Sequence, residues 1–204
     1  MNGADRTVVA GERVAKAWPG TSGLRPLDFE LVAGEVVALR GRSGSGKSTL
    51  IALLAGWCAP TGGLLRRSAE SDPTSWSGTA VVPQTLGLLP ELSIAENVAL
   101  PARLARRPAA DLDGLLGELD LDTLRSRLPA EVSLGQQQRT AVGRALTLPT
   151  ALLLVDEPTS HQDHGHADLV MRVVRRAADR GAAVLIASHD PIALNAADRT
   201  IDLD

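Results

Sequence analysis

The apolar runs Val36-Val37-Ala38-Leu39 and Leu152-Leu153-Leu154-Val155 are continuous, with no polar residue alternating in them, and each ends at a polar cluster. A strand with one solvated face alternates apolar and polar residues, whereas a strand covered on both faces does not. The runs therefore predict central strands of a largely parallel sheet, at Glu35–Arg40 and Ala151–Val155. Shorter apolar segments predict strands at Arg13–Ala17, Asp28–Val32, Thr79–Val82, Ala183–Ala187 and Thr200–Leu203. Helical stretches separate them, the alternation of an α/β domain. Residues 85 to about 140 depart from it. There Ser93 caps a helix running through Arg107 with a kink near Pro101, and Asp111–Leu119 forms another, so a helical insertion interrupts the sheet. The segment Ser68–Gly78, rich in Ser, Asp, Pro and Gly, predicts a surface loop or hairpin.

A chain of 204 residues suits one large domain or a domain with a small subdomain. Its net charge of −3 provides no overall positive field, which argues against a nucleic-acid partner. The single cysteine, Cys58, excludes an internal disulfide and sits in an apolar run that predicts a buried thiol. The start, Met1 to Arg6, lacks the apolar core of a secretory signal, and Pro60 and Gly62-Gly63 break the longest charge-free run, so a cytoplasmic chain without a membrane span is expected.

The run Gly41-Arg42-Ser43-Gly44-Ser45-Gly46-Lys47-Ser48 follows one predicted central strand and precedes a helix beginning near Lys47. This is the phosphate-binding loop pattern. Glycines let the backbone curl so that amide N–H groups face phosphate oxygens, and the helix N-terminus adds partial positive charge. Lys47 is suited to the β- and γ-phosphates and Ser48 to Mg²⁺. Arginine supplies nearly all the basic residues, yet this position is a lysine, as a site needing a compact ammonium would require. At the end of the second central strand, Asp156 is positioned to hold the water shell of Mg²⁺ and Glu157 to polarise an attacking water. Hydrolysis of ATP, beyond its binding, is the expected chemistry.

With these two motifs in place, the sequence resembles the ATP-binding-cassette ATPases, because further stations of that family follow in order from residue 18 to residue 190. Gln84 resembles the Q-loop glutamine. Val132-Ser133-Leu134-Gly135-Gln136-Gln137-Gln138-Arg139 resembles the signature segment, Ser160-His161-Gln162-Asp163 the D-loop, and His189 the switch histidine. Trp18 stands where the family has an aromatic that stacks on adenine. The stretch from Leu88 to Pro101 is most similar to the lipoprotein-releasing, macrolide and antimicrobial-peptide exporter branch.

The resemblance implies a P-loop NTPase fold, with a RecA-like parallel core at 1–84 and 141–204, a reduced antiparallel β subdomain and a helical subdomain at 85–140. It implies ATP and Mg²⁺ as ligands. Trp18 and Gly41 to Thr49 would bind nucleotide; Ser48, Gln84 and Asp156 would hold the metal; Glu157 and His189 would be catalytic. Ser133, Gly135, Gln136 and Asp163 would reach the nucleotide of a second ATPase subunit, with a homodimer favoured. Separate permease subunits would dock near Gln84–Glu91, holding the chain on the inner face of the membrane. The alternatives are a non-transport ATPase switch and a catalytically weak half of a heterodimer.

Three departures from the family pattern are evident. Leu134 stands where a glycine is usual, His161-Gln162 replaces the common D-loop pair, and the segment from Gly56 to Gln84 is short. The chain stops soon after His189, which predicts no regulatory C-terminal domain. His161, Asp163, His164 and His166 superficially resemble metal ligands, but their overlap with the D-loop favours interface and surface roles. Arg172, Arg175, Arg176 and Arg180 predict a solvated helix face opposite Leu169, Val170, Val173 and Val174.

Overall fold

The computed structural model describes residues 6–109 and 111–203. The expectation for the leader, which concerned Met1 to Arg6, falls almost wholly outside them. Five parallel strands, in the order β5-β6-β7-β3-β8, form the central sheet: β3 (Val36–Arg40), β5 (Thr79–Val82), β6 (Leu152–Asp156), β7 (Ala183–Ala187) and β8 (Arg199–Asp202). Strand β6 is buried at every residue and β3 at all but Arg40, as their continuous apolar pattern predicts, and β7 is buried throughout as well. Alternate residues divide between the two faces. Leu153 and Val155 join Val184 and Ile186 in a core with helices α2 (Ile94–Ala105), α4 (Leu134–Leu146) and α5 (His164–Asp179). Leu152 and Leu154 turn the other way, towards α1 (Lys47–Leu54) and an antiparallel sheet. That second sheet, ordered β2-β1-β4, comprises β1 (Thr7–Trp18), β2 (Thr21–Val32) and β4 (Gly62–Arg67).

Both helices expected between residues 85 and 140 are present, the first ending at Ala105 and so short of the expected Arg107. Ser93 and Glu96 form a capping box at the start of α2, which contains Pro101 and ends at Ala105. Asp111 caps α3 (Leu112–Glu118). A capped start of this kind is worth about 1 kcal/mol. Helix α4 passes through residue 140 without a break, so its final turns already lie against the core sheet.

Ser68–Gly78 is a loop with a single 3-10 turn at Ala69–Ser71, the first of the two forms expected of it. Two expectations are corrected. Cys58 is only half-buried, since it lies beyond the last turn of α1 next to the exposed Trp57. The arginine face of α5 is not simply solvated: Arg175 grips Asp198 through two nitrogens, at 2.8 and 3.1 Å, and Arg176 pairs with Glu118. No described helix is long and apolar enough to cross a membrane.

Candidate active site

Strands β6, β7 and β3 are neighbours, and their carboxyl ends open on one side of the sheet. The phosphate loop follows β3, Asp156 ends β6 with Glu157 next to it, and Ser188-His189 follows β7. Gln84 comes after β5, on the far side of β6. A parallel sheet thus gathers residues from Gly41 to His189 into a cavity of about 500 Å³, lined by Gly41 to Gly44, Gly46 to Thr49, Gln84, Asp156, Glu157 and His189.

Gly46 caps α1 in a left-handed conformation, φ 106°, and a side chain there would also press on Leu24 of β2. No acidic residue occupies the first turn of α1, so its N-terminal amides keep their partial positive charge for an anion. Lys47 curls back over the loop and donates to the carbonyls of Gly41 and Arg42, at 2.6 and 3.2 Å. Ser48 Oγ donates to Asp156 Oδ2 at 3.1 Å. Burial pushes the Asp156 carboxyl above its usual range, against the Ser48 hydrogen bond; the Glu157 charge adds to the rise and Lys47 opposes it. The oxygens of Ser48, Asp156 and Gln84 on this cavity are hard donors with no thiol among them, which fits Mg²⁺. Among the described residues no group of three His, Cys, Asp or Glu side chains could hold a metal unaided.

Glu157 has φ 52°, a left-handed conformation that costs a non-glycine residue about 1–3 kcal/mol. It is held there from several sides. Its N–H donates to Ala187 O at 2.8 Å, and its carbonyl accepts from Ser160 Oγ at 2.9 Å and from Gln138 Nε2. The carboxylate faces the cavity, accepting from Ser188 Oγ at 2.9 Å and lying 2.9 Å from His189 Nδ1. Gln138 and Ser188 were not singled out in the sequence. Gln138 lies inside the signature segment and Ser188 precedes His189, but only the fold brings either to Glu157.

The signature residues lie apart from this cavity. Ser133 caps α4, accepting from Gln136 N at 3.2 Å, while Gln136 Oε1 accepts from Ser133 N at 2.8 Å. Ser133 is exposed, and Leu134, 45% exposed, borders a neighbouring hollow together with Gln84 and His161. Gly135 is buried under its own D-loop: a Cβ there would come within 2.6 Å of His161 O, and Gln162 Nε2 donates to Gly135 O at 2.8 Å. The chain's own packing thus requires a glycine at 135, a reason that its expected contact across subunits does not supply. Asp163 caps α5 and pairs with His166, which also meets Asp120. Trp18 ends β1 at 40% exposure and is not among the residues lining this cavity.

A glycine-rich loop between strand and helix, with acidic residues at the end of a strand two places away in the same sheet, defines a P-loop nucleotide-binding cassette. The family of ABC transporters matches residues 24–160, and the chain belongs to that family. An uncharacterized ABC transporter ATP-binding protein of Mycobacterium tuberculosis is 36% identical over 93% of the chain, which spans 62% of that relative's length. The lipoprotein-releasing system ATP-binding protein LolD of Gluconobacter oxydans is 38% identical, with all of this chain and 91% of that protein aligned. Among solved structures, a dimeric post-hydrolysis state of the ATP-binding cassette MJ0796 bound to ADP and Pi is similar at TM-score 0.85 and 26% identity, covering 96% of this chain and 94% of that one.

Proposed function

We propose that this chain is the ATP-hydrolysing subunit of a transporter, closing head to tail with a second copy over MgATP and working through separate permease subunits at the inner face of the membrane. The observation that carries the reading is the convergence of Lys47, Ser48, Asp156, Glu157 and His189 on one cavity at three adjacent strand ends. Lys47 and the α1 amides bind the phosphates, and Trp18 stacks on the base. Ser48, Asp156 and Gln84 hold Mg²⁺, which when bound neutralises phosphate charge. Glu157 accepts a proton from the attacking water, and His189 orients both. Ser133, whose hydroxyl hydrogen is not used by its capping bond, donates to the partner's nucleotide alongside Gly135, Gln136 and Asp163.

The sequence reading put the permease near Gln84–Glu91. An apolar groove of about 420 Å³ adjoins that segment, between the edge strand β5 and α2, with Trp76 and Leu104 exposed along it. Arg144 lines the groove and donates to Leu86 O and Gly87 O at 2.6 Å each, tying it to the loop that carries Gln84. The proposed core at 1–84 and 141–204 and the helical subdomain at 85–140 would rock about this region. The test is Glu157→Gln. Removing the charge while keeping the shape should lower turnover about 100-fold or more and trap a dimer with ATP. Wild-type turnover in this variant would move the base elsewhere, and failure to dimerise with ATP would contradict the shared site.

A further inference from the structure

The chain has only two lysines among its 21 basic residues, Lys47 in the phosphate loop and Lys16 on β1. The second is not placed at random. Its ammonium stands over the ring of Trp18, 4.5 Å from the centroid, and donates to the carbonyl of Ala59 at 2.8 Å. Ala59 lies just before β4, so Lys16 ties the Trp18 ring to the neighbouring edge of the β subdomain. Lys16 also lines a second cavity, of about 780 Å³, together with Arg25 and residues Arg42 to Ser45 of the phosphate loop.

We propose that Lys16 is a positioning residue for the nucleotide base: it covers one face of the Trp18 indole, fixes the plane of the ring and leaves base stacking to the other face. A compact ammonium can sit on an aromatic face while directing a hydrogen to a carbonyl. An otherwise exposed tryptophan must lose side-chain freedom when a base stacks on it, and a ring held beforehand loses less. Lys16 therefore acts through Trp18 and not on the phosphates, which Lys47 and the α1 amides already face. This inference rests on the stacking role of Trp18 proposed above.

The experiment compares calorimetric affinities for ATP and for inorganic tripolyphosphate in the intact wild-type chain, Lys16→Met, Trp18→Ala and the double variant, each checked for an unchanged Tm. Lys16→Met is expected to weaken ATP about 2- to 5-fold. It should leave tripolyphosphate unchanged and have no further effect once Trp18 is removed. Lys16→Arg, which can also stack on the ring, should recover most of the loss. In a Trp57→Phe, Trp76→Phe background, Lys16→Met should also shift the emission of Trp18 before any nucleotide is added. Equal loss for ATP and tripolyphosphate, a loss that persists without Trp18, or no loss at all would overturn the positioning role. If Trp18→Ala itself leaves ATP affinity unchanged, the stacking reading fails first. If Trp18→Ala weakens ATP and Lys16→Met does not, only the role of Lys16 fails.

Discussion

Asp156→Asn should make the empty protein more stable and the nucleotide-bound protein less so. Asp156 is only 8% exposed, and its carboxyl is held above the usual range by burial and by the adjacent Glu157 charge. A carboxyl raised in the folded state favours its neutral form there. Stability is then fullest at low pH and is lost as pH rises through the raised value, so at neutral pH the ionised group costs the fold free energy. Asparagine removes that charge and keeps an oxygen to accept from Ser48 Oγ, now 3.1 Å away. Relief of strain at a functional site commonly yields about 0.5–2 kcal/mol. For a chain of this length that is about 1–8 °C in Tm. With MgATP at 100 times its Kd the wild type gains about 2.7 kcal/mol, whereas the variant has lost a carboxylate proposed to hold the cation. Melting curves with and without MgATP should therefore cross: the variant higher when empty, lower when loaded. The excess of the empty variant should shrink as pH is lowered. An empty variant melting at or below the wild type at neutral pH, or one gaining the full MgATP shift, would refute the reasoning.

Gly135→Ala should lower the Tm of the chain without nucleotide by an amount worth about 1–3 kcal/mol, because its Cβ meets His161 O; an unchanged Tm would return the glycine to a purely intersubunit role. Leu134→Gly should raise the ATPase rate about 5- to 30-fold at unchanged ATP affinity, if the exposed side chain holds a closed dimer apart by 1–2 kcal/mol; an equal or lower rate in folded protein would reject that strain. Asp120 is held below the usual carboxylate range by Arg139 and then His166, so its stabilisation is present above that range and lost as pH falls through its lowered value. Asp120→Asn should accordingly lower Tm at pH 7 by an amount worth about 1 kcal/mol, since the aspartate is largely exposed, and the difference should vanish in strong acid; a difference that persists there would assign the loss to packing.

What the sequence made legible follows from how locally each feature is encoded. Thr79–Val82 and Ala183–Ala187 match their strands end for end, and β3 and β6 differ from expectation by a residue at one end or at both. The two central runs are buried on both faces, so unbroken apolar residues mark them whichever face each side chain takes. β1 was read only from Arg13 because its alternation is broken: pairing with β2 shifts register between Gly11 and Val14, where Arg13 takes φ 48°. β4, an edge strand opening with two glycines and half exposed, carries almost no apolar signal, and the five-residue helix α6 (Pro191–Asn195) is too short for periodicity. The phosphate loop was legible because its residues are contiguous. Gln138, Ser188 and Lys16 were not, since what distinguishes each is a partner 19, 31 or 43 residues away.

Helix α4 shows why those distant partners matter to the chemistry. Its first turn presents Ser133 to solvent and lies under the D-loop at Gly135. Its middle sends Gln138 to the carbonyl of Glu157 and to Ser160, and its last turns send Arg144 to Leu86 and Gly87, just beyond Gln84. Thirteen helical residues span about 20 Å. Thr140 to Gly143 are buried between Gln138 and Arg144, so the segment joining these contacts is packed on its surroundings and does not bend freely. Glu157 occupies a left-handed conformation that unaided backbone would leave, and one of the bonds retaining it comes from this helix. The orientation of the carboxylate proposed as the base is therefore not a property of the strand end alone. It depends on where α4 stands, and α4 is fixed at its other end to the loop beside the apolar groove.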